Sequence, residues 1–133
     1  MNFSKTTSYS LNVLNYMAEH KGEVCSANYL HEELDIPHQY LRQILKKLAK
    51  SGFIEGSRGR EGGFVLSKDT NEIYLSEIVD AIEGLNVFGT CIMGFRECPF
   101  DHKCAMHETW VEIRERIIEV LENTSLADFQ TKK

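Results

Sequence analysis

Apolar residues recur at helical spacing in three consecutive stretches of the first half of the chain. Over residues 7–20 they return every three or four positions, and Gly22 follows as a stop signal. Ser26 can cap a second, short helix, because a serine oxygen accepts hydrogen bonds from the free N–H groups of a first turn. Pro37 then breaks the chain and can open a third helix, which ends at Gly52. The pattern predicts three helices, the second and third joined by a turn of about three residues.

The third helix is the most clearly amphipathic segment. Its apolar positions fall on one stripe, as in a helix that buries one face: Tyr40, Leu41, Ile44, Leu45 and Leu48. Its polar positions fall on the opposite face: Arg42, Gln43, Lys46, Lys47 and Lys50. Two short helices joined by a tight turn, the second one basic on its outer face, are typical of a helix-turn-helix, whose second helix enters the major groove of DNA.

A glycine-rich hairpin with a basic tip follows. Residues 53–55 and 64–66 predict two short strands, and four of the nine glycines lie between them, next to Arg58 and Arg60. Glycine permits a tight turn and close approach to a ligand, and an arginine on such a tip can enter the negative potential of a minor groove. A nucleotide-binding phosphate loop is excluded, because no Gly-Lys-Ser or Gly-Lys-Thr follows the glycines.

The second half of the chain predicts one further strand and two helices. Residues 73–75 are expected to return as a third short strand, and Ser76 to cap a helix that ends at Gly84. From about residue 105 to 123 the apolar spacing predicts a helix roughly 28 Å long.

The last helix carries more apolar surface than one small core needs. Val111 and Ile118 widen its apolar face, which favours burial against a second copy of the chain. The predicted fold is mainly α with a small β-wing, a winged helix-turn-helix plus a long C-terminal dimerisation helix. We expect a DNA-binding domain over 1–84, an aperiodic cysteine-containing loop over 85–104, and the dimerisation helix and tail over 105–133.

Charge is distributed unevenly along the chain. The 133 residues carry a formal net charge of −5, which argues against coating nucleic acid through bulk charge. Residues 37–63 nevertheless hold six Lys or Arg against two Glu, whereas the segments before and after are acidic. A basic island in an acidic chain fits a local phosphate-contacting surface, and the alternative is a solvated charged face.

Length and hydropathy limit the number of domains and the cellular location that we expect for the protein. A chain of this length suits one compact unit, and 42% hydrophobic with 26% charged residues is ordinary for a globular domain. No apolar run of about 18 residues and no export signal occurs, so we expect a cytoplasmic protein that does not enter membranes. No nucleophile elbow or other catalytic arrangement stands out, and we expect no enzyme activity.

Three of the four cysteines lie close together ahead of the last helix. Six residues separate Cys91 from Cys98, five separate Cys98 from Cys104, and His107 follows three positions later. Three thiols and one imidazole this close predict one coordination sphere, and thiolate-rich sites select zinc, copper(I) or iron–sulfur clusters. The Cys-x-x-Cys knuckle typical of structural zinc does not occur, and the wide spacing favours a larger object than a single ion. Structural zinc and reduced bystander thiols are the alternatives.

The remaining cysteine and histidines predict no site. Cys25 is remote from the other cysteines and is expected to be a small buried apolar residue. His20, His31 and His38 are expected to be surface side chains. The same holds for His102, which is the first substitute among the candidate ligands.

Together, these segments resemble a known family. The resemblance rests on four features in chain order: the wing Ser-Arg-Gly-Arg-Glu-Gly-Gly-Phe over 57–64, the helix Ile-Val-Asp-Ala-Ile-Glu-Gly over 78–84, the three-cysteine loop, and the long helix with Trp110. They are similar to those of the IscR/NsrR/CymR family of winged-helix bacterial transcription regulators. The resemblance implies a homodimer joined through the long helix, with recognition helices in major grooves and wings over minor grooves of a double-stranded operator.

By position, the resemblance assigns DNA contacts to the third helix and the wing. The residues that would face bases or phosphates are Gln39, Tyr40, Arg42 and Gln43, with Arg58 as the wing arginine; Lys46, Lys47 and Arg60 complete the expected set. Arg42 stands where IscR carries an acidic residue, so the operator preference should differ. An arginine that reaches a base edge favours guanine.

The resemblance also implies a cofactor. IscR-like members hold a 2Fe-2S cluster with three cysteines and a histidine three residues after the last, which corresponds here to Cys91, Cys98, Cys104 and His107. NsrR-like members hold a 4Fe-4S cluster with an acid near the N-terminus, where this chain offers Ser8. The first cysteine gap has six residues where the best-known members have five, which leaves the type of cluster open. Of the two types, 2Fe-2S is preferred and 4Fe-4S is possible.

The expected function is a DNA-binding transcriptional regulator, a repressor in the simplest form, whose operator affinity is controlled by an iron–sulfur cluster sensing redox state, iron or nitric oxide. Two alternatives stay open. One is a cluster-free DNA-binding regulator controlled by thiol oxidation or a protein partner, as in CymR-like members. The other is a small iron–sulfur electron carrier, which would need the cluster but not the basic island.

Overall fold

The computed structural model describes residues 4–57, 62–85 and 104–129. In this part of the chain the elements follow in this order: α1 Lys5–Glu19, α2 Ala27–Leu34, α3 His38–Lys50, β1 Ile54–Ser57, β2 Gly63–Leu66, α4 Leu75–Ile82 and α5 His107–Asn123. Two short 3-10 turns lie at Thr70–Glu72 and Leu126–Phe129. The predicted mainly α architecture with a small β-hairpin is confirmed. Within these ranges no helix is long and apolar enough to cross a membrane.

A capped helix and a left-handed residue form the turn between α2 and α3. Ser26 is the N-cap of α2, as predicted, and its Oγ accepts a hydrogen bond from the Tyr29 N–H at 3.1 Å. Asp35 ends α2 with φ +54°, a conformation that aspartate tolerates better than most residues. Pro37 then occupies the N-cap position of α3. The chain therefore reverses direction between the two helices within the predicted short turn.

One apolar core joins the helices. The helix side chains buried in it include Val13, Leu14 and Met17 of α1, Leu30 of α2, Leu41, Ile44, Leu45 and Leu48 of α3, and Ile78 and Val79 of α4. Burying one such side chain contributes about 1.5–3 kcal/mol. Because four of them lie on one side of α3, the packing determines the rotation of this helix about its own axis.

The last helix buries its C-terminal end. Leu121 and Leu126 belong to the core, and α5 packs against α4. On the same helix, the side chains of Ile113 and Val120 are 45% and 43% exposed. The apolar face of α5 therefore extends beyond the core formed by the described residues.

The hairpin is attached to the helix-turn-helix by its backbone. β1 and β2 pair antiparallel, with Ser57 opposite Gly63. The Cys25 N–H donates to the Phe64 carbonyl at 2.9 Å, and the Phe64 N–H donates to the Cys25 carbonyl at 2.8 Å. Since Cys25 immediately precedes the N-cap of α2, these two bonds place the hairpin relative to α2 and α3.

The prediction of a third strand over 73–75 is wrong. α4 begins at Leu75, and Ser76 lies inside its first turn rather than at the N-cap, which is Tyr74. The backbone of this segment pairs with the far end of the chain, where the Leu75 N–H donates to the Thr124 carbonyl at 2.9 Å. A pairing between residues so far apart in sequence leaves no local pattern.

One carboxylate ties the start of α1 to the end of α4. Glu83 Oε2 accepts hydrogen bonds from the Ser4 N–H at 3.1 Å, from Ser4 Oγ at 2.7 Å and from Thr7 Oγ1. Partial burial alone raises the pKa of the Glu83 carboxyl, but these hydrogen bonds favour the charged form and lower its pKa below the ordinary glutamate value. The ionised carboxylate therefore holds the two helix ends together.

We expect Glu83→Gln to lower the free energy of unfolding near neutral pH by about 1 kcal/mol, after allowance for solvent screening. Because the pKa of Glu83 is lower in the folded than in the unfolded chain, its contribution is present above the unfolded value of about 4.3 and is lost as the pH falls through the folded value. Thermal unfolding at neutral and at acidic pH measures both effects.

The matched control for this variant is Glu77→Gln, an exposed carboxylate on the same helix. We expect it to leave stability nearly unchanged at either pH. A deficit in Glu83→Gln that stays constant from neutral to strongly acidic pH would contradict the role of the charge.

Candidate nucleic-acid interface and thiol site

The outer face of α3 is polar and exposed, as the sequence predicted, but Tyr40, which was predicted on the apolar stripe, is exposed as well. The exposed residues on it are Gln39, Tyr40, Arg42, Gln43, Lys46 and Lys47. The opposite face is buried in the core. Because the buried side chains hold the rotation of α3, the polar row cannot turn inward without exposing them. The role of this row in DNA binding stays a prediction.

Within the part of the chain that the structure describes, carboxylates do not pair with the cations of this face. Among the residues that the structure describes, salt bridges join Lys21 to Asp69 at 3.7 Å and Arg116 to Glu119 at 3.3 Å, and neither involves α3. The α3 cations are therefore available to phosphate groups, whose neutralisation dominates the affinity of proteins for DNA.

Tyr40 stands at the border between the buried and the exposed face of α3. Its ring lies against the ring of Tyr9 in α1, with centroids 6.2 Å apart and planes tilted by 55°. The side chain is 44% exposed. The contact with α1 thus holds the ring while leaving nearly half of its surface open to a ligand.

The hairpin approaches α2 more closely than a side chain at Gly63 would allow. A Cβ at this position would lie 2.6 Å from the Cys25 carbonyl oxygen and 2.8 Å from the Ser26 nitrogen. Glycine is therefore required where β2 leaves the tip of the hairpin. Arg58 and Arg60 at the tip lie outside the described residues, and their contact with a minor groove stays a prediction.

Cys104 and His107 lie within one turn of each other at the entrance to α5. The His107 N–H donates to the Cys104 carbonyl at 3.1 Å, and both side chains are partly exposed. The last helix, predicted from about residue 105, begins at His107, and Cys104 belongs to the preceding turn. Cys91 and Cys98 lie outside the described residues.

The two described donors fit a soft metal centre in kind. Thiolate and imidazole are ligands of zinc and of iron–sulfur clusters. In residues 4–57, 62–85 and 104–129, no three His, Cys, Asp or Glu side chains gather around one point. A centre at Cys104 and His107 therefore needs further ligands from elsewhere in the chain.

The fourth cysteine is a core residue, as predicted. Cys25 is 2% exposed and packs within the apolar cluster. Burial raises the pKa of its thiol, and the nearby Glu23 carboxylate raises it further. A protonated, enclosed thiol is inert toward metals and oxidants, which separates Cys25 from the partly exposed Cys104.

Sequence reasoning missed a contact between two histidines across the turn of the helix-turn-helix. His38 is exposed, as expected, but His31 is only partly exposed, and its Nδ1 lies 2.6 Å from the Ile36 carbonyl oxygen. The two imidazole rings stack with their centroids 3.7 Å apart. The sequence signal for this pair is the presence of one histidine on each side of the predicted turn.

Comparison with known proteins finds relatives of nearly the whole chain. A family model described as Rrf2, iron-dependent transcriptional regulator, matches residues 3–132. The HTH-type transcriptional regulator IscR of Pectobacterium atrosepticum is 30% identical over 104 residues, which are 78% of this chain and 63% of that protein. The match thus spans less than two thirds of that relative's own length.

Solved structures share the fold. The chain is similar to CymR (YrzC), the global cysteine regulator of B. subtilis, with a TM-score of 0.80 and 26% identity over 96% of this chain and 95% of that one. It is also similar to T. potens IscR, with a TM-score of 0.76 and 25% identity over 96% and 85% of the two chains. The winged-helix fold, the resemblance and the assignment as a regulator rather than an enzyme are confirmed.

We expect Gly63→Ala to destabilise the protein by about 1–3 kcal/mol, because the added methyl group forces β2 away from the backbone of Cys25 and Ser26. Gly56→Ala on the partner strand is the control, since its Cβ would meet only the Phe64 ring at an ordinary 3.8 Å. Thermal unfolding of the two variants measures the difference. Equal melting temperatures would show that the close approach imposes no constraint.

Proposed function

This chain belongs to the Rrf2 family of transcriptional regulators, and we propose that it binds operator DNA through the outer face of α3 and the tip of the β1–β2 hairpin. The proposed contacts are Gln39, Tyr40, Arg42, Gln43, Lys46 and Lys47 from α3, with Arg58 and Arg60 from the hairpin. One observation carries the proposal. The exposed cations of α3 form no salt bridge within the described part of the chain, and the buried face behind them prevents the helix from turning.

Two neighbouring rows of side chains on α3 supply the proposed contacts with bases and phosphates. Gln39 and Gln43 lie one turn apart, as do Arg42 and Lys46, so each pair shares one side of the helix. Amides bind adenine edges and arginine binds guanine edges in a major groove, whereas lysine at the end of a row suits a phosphate. We assign base contacts to Gln39, Gln43 and Arg42, and a phosphate contact to Lys46.

We further propose that Cys91, Cys98, Cys104 and His107 hold an iron–sulfur cluster, with 2Fe-2S preferred over 4Fe-4S. Support comes from the thiol and imidazole that share one turn before α5, and from relatives named IscR. When bound, such a cluster supplies a redox-active centre that responds to iron supply, oxidants or nitric oxide. Cys104 and His107 hold it at the N-terminal end of α5.

The chain's own contacts connect this end of α5 to the DNA-binding half. α4 packs against both α1 and α5, and α1 packs against α3. The end of α4 is held to the start of α1 by Glu83. A change in how the ligands are held therefore reaches α3 through packed helices. Couplings of this kind are typically ~1–3 kcal/mol, or roughly 5- to 150-fold in affinity.

The apolar residues left open on α5 support a homodimer. Ile113 and Val120 are two turns apart on one side of the helix, and nearly half of each side chain is exposed. Two copies of this surface packed together would bury it and would present two α3 helices to one operator. The dimer and a cytoplasmic location are parts of the proposal.

A second candidate function is a DNA-binding regulator without a cluster, controlled by thiol oxidation or by a protein partner. It is favoured by the similarity to CymR over 96% of this chain. The partly exposed Cys104 is then the thiol most open to oxidation among the described residues. The third alternative, an electron carrier, has no support in a family of transcriptional regulators.

We expect Lys46→Ala to weaken binding to all duplexes and to reduce the slope of log K against log salt by about 1, because one phosphate contact is lost. Arg42→Ala should instead relax base preference, at a cost of about 1–3 kcal/mol. The measurement is fluorescence anisotropy with a duplex that the protein enriches from a random-sequence pool. Lys21→Ala, a cation paired with Asp69 outside α3, is the control and should bind as the parent does.

We expect the protein purified without oxygen to be coloured and to contain iron and acid-labile sulfide. Cys98→Ala and Cys104→Ala should lose both, whereas Cys25→Ala should keep them, since that thiol is buried away from the site. Loss of the cluster should change the affinity for the enriched duplex by roughly 5- to 150-fold.

A colourless preparation with stoichiometric zinc and no sulfide would refute the cluster. A metal-free protein whose DNA affinity changes when Cys104 is oxidised would establish the second candidate instead. If no duplex is enriched, the DNA-binding proposal itself fails.

A further inference from the structure

Two imidazole rings face each other across the turn of the helix-turn-helix. His31 lies in the last turn of α2, and His38 is the first residue of α3. Their ring centroids are 3.7 Å apart, and the ring planes are within 21° of parallel. The pair lies at the turn between α2 and α3, where the recognition helix begins.

The hydrogen bond of His31 determines which of its nitrogens carries a proton. Nδ1 lies 2.6 Å from the Ile36 carbonyl oxygen, and a carbonyl oxygen can only accept. Nδ1 must therefore be the N–H, which leaves Nε2 of the neutral ring with a lone pair. A phosphate oxygen cannot bind there until Nε2 takes up a second proton and the ring becomes an imidazolium.

The position of His38 extends the basic row of α3. His38, Arg42 and Lys46 follow at intervals of one turn and lie on one side of the helix. All three side chains are exposed. A duplex held by Arg42 and Lys46 therefore brings its phosphate backbone toward the histidine pair.

No fixed counter-ion serves either imidazole in the part of the chain that the structure describes. The charged side chains of these helices and of the elements packed against them are exposed and form no salt bridge with His31 or His38. These groups are Lys5 and Glu19 on α1; Glu32, Glu33 and Asp35 on or just after α2; Arg42, Lys46, Lys47 and Lys50 on α3; Glu55 on β1; and Glu77 and Asp80 on α4. Glu83, at the end of α4, is bound by the hydroxyl groups of Ser4 and Thr7.

We propose that the stacked pair His31 and His38 is a binding site for a DNA phosphate and takes up one proton per subunit when DNA binds. The proposal rests on the DNA binding proposed above for α3. One proton suffices for the pair, because two imidazolium charges in stacked rings repel each other strongly. The phosphate stabilises the imidazolium, so the bound state holds more protons than the free protein.

The consequence is an operator affinity that rises as the pH falls. Uptake of one proton changes affinity by at most about tenfold for each pH unit. On going from pH 8 to pH 6 we expect a gain of roughly three- to tenfold per subunit.

The decisive variant is His31→Gln combined with His38→Gln, measured as the full chain by anisotropy on the duplex enriched from a random pool. We expect the double variant to lose the pH dependence and to bind more weakly than the parent at pH 6. His38→Gln alone changes an exposed residue that can be replaced without loss of folding, and it should already reduce the dependence.

The matched control is His20→Gln. His20 has the same surroundings at the end of α1, with Nδ1 2.8 Å from the Tyr16 carbonyl oxygen and its ring stacked on Tyr16 at 4.0 Å. It lies outside the helix-turn-helix and should keep the parent's pH dependence. Nitrogen-15 spectra supply an independent readout, because Nε2 of His31 should gain a proton when the complex forms.

The outcomes separate this inference from the function on which it rests. Failure to enrich any duplex overturns DNA binding and the inference together. Tight binding that does not change with pH, or a pH dependence that the double variant keeps, overturns the inference alone and leaves the proposed function standing.

Discussion

Burial of one face of α3 is the interaction on which the rest of this structure depends. Four side chains on that face lie in the core, and each contributes about 1.5–3 kcal/mol by leaving water. Turning the helix by one position would carry Arg42 or Lys46 toward an apolar interior, at a cost of several kcal/mol per ion. The direction in which the cations point is therefore a result of what the opposite side of α3 buries.

The hairpin depends on a second constraint, which acts through the backbone. Two hydrogen bonds between Cys25 and Phe64 join β2 to the residue before the N-cap of α2, and Gly63 permits the necessary approach. The hairpin is thus attached to the residues before α2, and the recognition helix follows the other end of α2 after a short turn. A double helix in contact with both would meet surfaces whose relative position is already determined in the free protein.

Predictability from the sequence follows the range of the interactions. The rotation of α3 and the cap at Ser26 depend on periodicity and on nearest neighbours, and both were predicted correctly. The prediction for residues 73–75 failed because the backbone of this segment pairs with Thr124, which is distant in sequence. The contact of His31 with the Ile36 carbonyl depends on the geometry of a turn. At the candidate site, the outer face of α3 was therefore predictable, whereas the histidine pair and the turn at Cys104 were not.

The enclosure of Cys25 makes this residue a natural reporter of hairpin motion. Cys25 is buried and its backbone forms the two bonds that join β2 to the start of α2, so we expect an alkylating reagent to reach its sulfur when that attachment opens. The slow phase of thiol labelling in the native protein therefore measures the free energy of this local opening, in the manner of a protected amide in hydrogen exchange. In protein without a cluster, we expect the partly exposed Cys104 at the turn before α5 to react without any opening and to supply the internal reference for the reagent.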